Sequence, residues 1–259
     1  MRVWAIANQK GGVGKTTTTL ALGRTLAARG LRVLLVDLDP HASLTRAFGV
    51  AAEPAPSGVA DLFASPPASL AELMRPSAVE GVDFVCAQTS LATLERRSIS
   101  QPGLGLALSQ ALSRHAGHDY ILLDCPPMLG LLVVNALAAA DRLVVPTQCE
   151  PLALHGLEGM RRTGTMIERS RRRPLPTAIL PTLFDRRTRA GRATLARLHA
   201  DYRDQAWDHA IPIDTLISNA EVLAAQAFDG ERLPGRALPA YDRALDWLLA
   251  SERTLERAA

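Results

Sequence analysis

Lysine is almost missing from this chain: of 29 basic residues among 259, 27 are arginine, and the two lysines, Lys10 and Lys15, stand five positions apart. A compositional drift toward arginine does not leave both survivors in one short segment, so the pair marks a place that needs a compact ammonium. Aromatic residues make up only 4%, so the core must be built from Leu, Val, Ile and Ala. Cysteine occurs three times, at Cys86, Cys125 and Cys149, with wide spacings and no CxxC. That argues against a disulfide framework and a zinc knuckle, and beside apolar runs each cysteine reads as a small buried hydrophobe. No apolar run reaches the ~18 residues of a spanning helix; the longest, 129–140, carries Asn135. The first residues lack the pattern of a secretory leader, so the expectation is a cytoplasmic protein. With 47% apolar and 21% charged residues the chain is globular rather than disordered, and no fixed period suggests a solenoid.

What is present alternates. Apolar runs at 3–7, 32–36, 82–86, 120–123, 142–145, 178–183 and 210–213 read as strands. Helical stretches fall at 16–29, 101–115, 131–139, 156–170, 192–202, 220–227 and 238–250, and residues 51–79 read as a loop with a short helix near 60–63. Strands alternating with helices predict an α/β fold, a mostly parallel sheet with helices on both faces. No linker divides the chain, so 1–259 is expected to form one domain. Charge is uneven: residues 1–149 sum to +1, 150–204 to +6 and 205–259 to −4. The basic excess sits where a polyanion could dock.

The strongest signal lies between the first strand and the first helix: Gln9-Lys10-Gly11-Gly12-Val13-Gly14-Lys15-Thr16-Thr17. A phosphate chain needs many donors at close range, and the backbone amides of a glycine-rich turn supply them where side chains would obstruct. The following helix adds the positive end of its dipole. Lys15 can reach the terminal phosphates, and the Thr16 hydroxyl is placed to ligate Mg2+. Two further segments end strands in acids: Asp37-Leu38-Asp39-Pro40-His41, and Tyr120 through Asp124-Cys125-Pro126-Pro127. Ligands of open α/β sheets bind at that edge, so these carboxylates can face the phosphates.

These three motifs together resemble the ParA/MinD family of P-loop ATPases, whose loop reads KGGxGK[ST]; the likeness runs over roughly residues 2–249. The resemblance implies a P-loop fold with ATP and Mg2+ as cofactors. It implies that Lys10 is the signature lysine, which reaches across a dimer to the partner's ATP, much as an arginine finger does. It gives Lys10, Lys15 and Asp39 catalytic roles, Asp39 positioning the attacking water. It places nucleotide contacts on Lys10, Gly11, Gly12, Val13, Gly14, Lys15, Thr16, Thr17 and Pro212, and the metal on Thr16, Asp37 and Asp124. His41 departs from the family's usual Gln. The segment Thr182 through Arg189 resembles the family's T-x-x-D-x-R-T, after which a basic surface begins. Arg171, Arg172, Arg173, Arg186 and Arg189 are candidate DNA contacts, although the first three equally suit a solvated helix end. Ile213 stands where DNA-binding members often have Arg.

Three functions follow for comparison. A ParA-type ATPase would dimerise on ATP and position or segregate chromosome or plasmid DNA, or a polar protein cluster such as a chemotaxis array. A stimulating partner, ParB-like or a cargo adaptor, would trigger hydrolysis. With the loop lysine at position 10, the N-terminal DNA-reading extension of some plasmid ParA repressors is not expected. A MinD-like membrane-cycling ATPase would end in a basic amphipathic helix, whereas residues 240–259 carry four acids and three arginines, a poor match for anionic lipid. An iron–sulfur or nitrogenase-type relative would need bridging cysteines, and Cys125, adjacent to Asp124, does not suit that role. The first is the expected function.

Overall fold

The structure, a computed structural model, describes residues 1–51, 54–97, 104–225 and 235–258. Seven strands form one sheet: β1 (Arg2–Ile6), β2 (Val33–Asp37), β3 (Met74–Pro76), β4 (Val82–Val85), β5 (Tyr120–Asp124), β6 (Arg142–Gln148) and β7 (Thr177–Thr182). Their order is β3-β4-β2-β5-β1-β6-β7. Every pairing is parallel except β3 with β4. The helices are α1 (Lys15–Ala28), α2 (Ser43–Ala47), α3 (Leu70–Leu73), α4 (Leu91–Arg97), α5 (Ala107–Ser113), α6 (Leu131–Ala139), α7 (Ala153–Arg171), α8 (Arg189–Asp201), α9 (Ala220–Ala224) and α10 (Ala237–Ala258).

Side chains alternate across the sheet as strand geometry dictates. Val3, Ala5, Leu34, Val36, Ile121, Leu123, Leu143 and Val145 face α5, α6 and α7. Trp4, Ile6, Val33, Leu35, Leu122 and Val144 face α1 and α10. Both faces are covered, which is why the strands read as unbroken apolar runs. Helix α1 is buried on two sides, by the sheet and by α10, so Thr18 and Thr19 are buried along with Leu20, Leu22 and Leu26. The Thr18 hydroxyl meets the Tyr241 hydroxyl of α10 at 3.0 Å, which leaves neither group unpaired in that layer.

Several elements differ from the sequence reading. Of the helix expected at 101–115, the structure has a 3-10 turn at Leu104–Leu106 and then α5, with 101–103 outside the described residues; Gly103 and Gly105 weaken helix at its start. The strand expected at 210–213 is reduced to one isolated bridge, Phe184 with Pro212, in which Ile211 N donates to the Pro181 carbonyl at 2.8 Å and Ile213 N to the Phe184 carbonyl at 3.1 Å. Pro212, between those two donors, presents its nitrogen to the outer side, where a missing N–H breaks no ladder bond. Within 51–79, the short helix is a 3-10 turn at Val59–Phe63, and α3 and β3 appear where loop was expected. β3 is three residues long, antiparallel and ends in Pro76 at the sheet edge, the kind of short blunted edge strand that carries little sequence signal. Helix α9 is described only to Ala224, and 226–227 of the expected 220–227 lie outside the described residues.

At the edge of the sheet where β1 and β5 begin, α10 is fastened by one carboxylate. Glu252 accepts from Trp4 Nε1 at 2.6 Å and from the Tyr120 hydroxyl at 3.0 Å. Arg142, over the Trp4 ring, donates to the Leu248 carbonyl and Ser251 Oγ. Glu252→Ala therefore strands one buried donor and one half-buried donor, and it is expected to cost roughly 1–3 kcal/mol of stability. Urea denaturation of the variant against wild type reads that loss; an unchanged midpoint contradicts the assignment.

Candidate functional site: a phosphate loop at the strand ends

The ends of β1, β2, β5 and β6 converge on one place. Asp37 is in register with Asp124, and Asp124 with Ile6 of β1, which leads into the glycine loop. β1 passes its crossover to β2 on one side and neighbours β6 on the other, so the loop sits where the connections diverge, the usual crevice of such sheets.

The loop turns through left-handed backbone at Gly12 (φ 74°) and Gly14 (φ 88°), and a Cβ on Gly11, Gly12 or Gly14 would meet no atom within 4 Å. Gly14 caps α1, and no side chain accepts from the first amides of that helix. The result is a set of donors around open space, with a helix dipole behind it. Three anchors hold the shape. Asn8 donates to the Pro146 carbonyl at 2.8 Å and accepts from Lys10 N at 3.0 Å. Thr182 Oγ1, on β7, donates to the Val13 carbonyl at 2.8 Å. Lys15 Nζ donates to the Lys10 carbonyl at 3.2 Å. Sequence reasoning did not identify Asn8 or Thr182 as anchors. Asn8 directly adjoins the loop, whereas Thr182 lies 169 positions from Val13 and no local pattern links them.

Burial governs the charges. Lys15 is 8% exposed; desolvation lowers its pKa, opposed by the charges of Asp124 and Asp39. Asp37 is fully buried and accepts from Thr45 N at 2.8 Å, Thr45 Oγ1 at 2.7 Å and Asp39 N at 3.1 Å. Asp124, also fully buried, accepts from Thr16 Oγ1 at 2.7 Å and Thr19 Oγ1 at 3.3 Å. Desolvation raises the pKa of both carboxyls, and each is pushed further up by neighbouring acids, Asp39 for Asp37 and chiefly Asp37 for Asp124. Two carboxyls and one ammonium thus share a dry site that favours an added cation. Burial also pushes the Cys125 thiol up, and Cys149 up to about 12, so neither is a ready thiolate.

Lys10 lies at the rim. Its ammonium contacts Gln148 Oε1 at 3.4 Å and forms an ion pair with Glu150, both at the end of β6. Helix α7 packs directly beneath: a Cβ on Gly156 would meet Asn8 Oδ1 at 2.8 Å and Lys10 Cβ at 3.2 Å, and one on Gly159 would meet Gln9 Oε1 at 2.3 Å. Pro212 sits past β7, bridged to Phe184, with Ile213 exposed beside it. Thr17 is half-buried in the first turn of α1. The rim also exposes three large apolar side chains, Met128, Leu129 and Leu152.

The candidate DNA contacts separate into two kinds. Arg171 turns inward: its guanidinium donates to the carbonyls of Leu137 at 2.6 Å, Ala138 at 3.2 Å, Ala140 at 2.7 Å and Pro174 at 2.8 Å. It satisfies the open carbonyls at the end of α6, the structural role a helix C-terminus offers an arginine. Arg173 pairs with Asp141 and the Ala140 carbonyl. Both guanidiniums thus hold the chain together, Arg171 from a half-buried position and Arg173 from an exposed one. Arg172, in left-handed backbone at the end of α7, Arg186 and Arg189 are exposed. Arg162 and Arg169 on α7 are exposed as well, and sequence reasoning had not singled them out.

Residues 1–176 match the family described as AAA domain. The sporulation initiation inhibitor protein Soj of Bacillus subtilis is 36% identical over 85% of this chain and 87% of its own. The chromosome-partitioning ATPase Soj of Thermus thermophilus is 40% identical over 83% of both. Among solved structures, one described as cobyrinic acid a,c-diamide synthase from Mycobacterium smegmatis, with bound ATP analog and magnesium, superposes with a TM-score of 0.81 at 33% identity, covering 98% of this chain and 96% of that one. With the glycine loop, its second lysine and the two strand-end acids in one crevice, these matches make the chain a member of the ParA/MinD family of P-loop ATPases.

Proposed function

We propose that residues 1–259 act as one ParA-like ATPase domain in the cytoplasm, which binds ATP with Mg2+, closes into a homodimer and positions or segregates a cargo. The observation that carries this reading is Lys10, an ammonium at the rim of the loop rather than within it, occupied by Gln148 and Glu150 of its own chain. On closure it would exchange these partners for the phosphates of a second subunit. The exposed Met128, Leu129 and Leu152 around it are the apolar surface such a closure would bury. The Thermus thermophilus relative is a chromosome-partitioning ATPase by name, which favours this cargo class over the one named for the solved synthase. The membrane-cycling alternative is not favoured: Leu238, Tyr241, Leu245 and Leu248 of α10 are buried in the core facing α1 and so are not offered to a lipid surface.

The site fits the cofactor. Free loop amides would hold the phosphate chain, and Lys15 would neutralise its end. Thr16, Asp37 and Asp124 would hold Mg2+, the acids through its waters; when bound, the ion offsets phosphate charge during transfer. Asp39 would orient the attacking water, and Pro212 would lie beside the base. A ParB-like protein or cargo adaptor would then accelerate hydrolysis.

The raised carboxyls give a metal-free prediction. A buried acid whose folded pKa is raised destabilises the fold as pH climbs through that value. Asp124→Asn should therefore raise the melting temperature in EDTA, by ~3 °C more at about pH 8 than at about pH 5. An equal shift at both removes the electrostatic account.

The trans role of Lys10 is tested by mixing. Lys10→Ala and Asp39→Ala proteins should each lose stimulated hydrolysis. In a heterodimer, the Lys10→Ala subunit keeps its own Asp39 and receives Lys10 from its partner, so one of the two composite sites is complete and activity returns. Heterodimers that form and stay inactive contradict the role.

For DNA, the exposed arginines Arg162, Arg169, Arg172, Arg186 and Arg189 are the proposed face. Retention of the ATP-bound protein on duplex DNA should be strong at low salt and fall steeply as salt rises. Arg186→Glu with Arg189→Glu should abolish it and leave ATP turnover intact. Absence of retention by the wild type at low salt excludes DNA and leaves a protein cargo.

A further inference from the structure

His41 is the residue of the acidic segment that the resemblance did not account for, and its geometry is specific. Asp39 Oδ1 accepts two bonds from this one residue, from His41 N at 2.9 Å and from the imidazole Nδ1 at 2.9 Å. Among the described residues, none hydrogen-bonds Asp39 Oδ2. The Asp39 side chain is 14% exposed and the imidazole 79%, so the ring holds the carboxylate from outside the crevice. The charge of Asp39 acts on both Lys15 and Asp124, which puts the carboxylate at the same crevice as the loop lysine. An ionised carboxylate only accepts, so Nδ1 carries the ring proton and Nε2 points away.

We infer that His41 is a positioning residue for ATP hydrolysis: its Nδ1–H fixes one oxygen of Asp39 so that the other is presented, in one orientation, to the attacking water. The inference rests on the reading of Asp39 as the water-positioning acid. A carboxylate held only by a backbone amide can rotate about its Cβ–Cγ bond, and each lost orientation lowers the fraction of encounters in attack geometry. His41 neither touches nucleotide nor moves a proton in this account; it restricts a neighbour.

Asparagine separates the bond from the ring, because its side-chain amide nitrogen superposes on Nδ1 and can donate to the same oxygen. Alanine keeps the backbone bond and removes the other. Single-turnover ATP hydrolysis by the full chain with saturating Mg2+ is the measurement, alongside nucleotide affinity and melting temperature. His41→Ala should lower the single-turnover rate constant roughly tenfold, with nucleotide affinity within about twofold and melting unchanged, and His41→Asn should restore most of the rate. In an Asp39→Ala background, His41→Ala should have no further effect. Wild-type turnover in Asp39→Ala would overturn the role of Asp39 itself. An inactive Asp39→Ala with a fully active His41→Ala would overturn only the inference about His41. Equal loss in the alanine and asparagine variants would do the same, since the bond would then not be what matters.

Discussion

Asp37 and Asp124 end adjacent parallel strands in register, buried beside a single buried lysine. Leaving two carboxyls so close in a dry place raises both pKa values, and the surrounding structure is arranged to hold them. The run Thr16–Thr19 is a poor helix former by composition, yet Thr16 and Thr19 direct hydroxyls at Asp124 while Thr18 bonds to Tyr241. Thr45 serves Asp37 through both its amide and its hydroxyl, and that hydroxyl also accepts from Ala87 N after β4. Helix α2 and the end of β4 are thereby tied to the same acid. The residual preference for positive charge is what a metal–phosphate ligand would satisfy.

The sheet divides labour between its two ends. Where the strands finish, glycines, threonines and acids leave donors and space. Where they begin, Trp4, Tyr120, Arg142 and Glu252 close the structure against α10 with aromatic, cationic and carboxylate groups packed together. The scarce aromatic residues are spent in part on that closed end. The arginines divide likewise: Arg142 donates to a carbonyl within α10 and Arg171 to carbonyls at the end of α6, and others remain on the surface.

Much of this was legible in the sequence because it is local. The glycine loop, the two strand-end acids and the alternation of strands with helices each occupy a few consecutive residues. What escaped depends on partners far apart in the chain. Thr45 supports Asp37 and Thr182 supports Val13, yet neither residue type nor spacing identifies them. Arg171 was read with its neighbours as a basic cluster, whereas only the position of the end of α6 shows that its guanidinium is consumed by carbonyls. β3 escaped because three edge residues have too little pattern, and at 210–213 Ile211 and Ile213 alternate and donate as a strand would, but the pairing stops at a single bridge.

Helix α7 begins at the rim beside Lys10, with Gly156 and Gly159 pressed against residues 8–10, and it ends 19 residues later in arginines. At 1.5 Å per residue it spans roughly 28 Å. With no side chain at either glycine, the Asn8 and Gln9 side-chain amides and the Lys10 Cβ lie directly on the helix, so a shift of residues 8–10 bears on the helix itself. A lever of that length turns a small rotation at one end into a larger displacement at the other. One helix thus runs from close packing at the rim of the phosphate loop to a surface that carries Arg169 and Arg172.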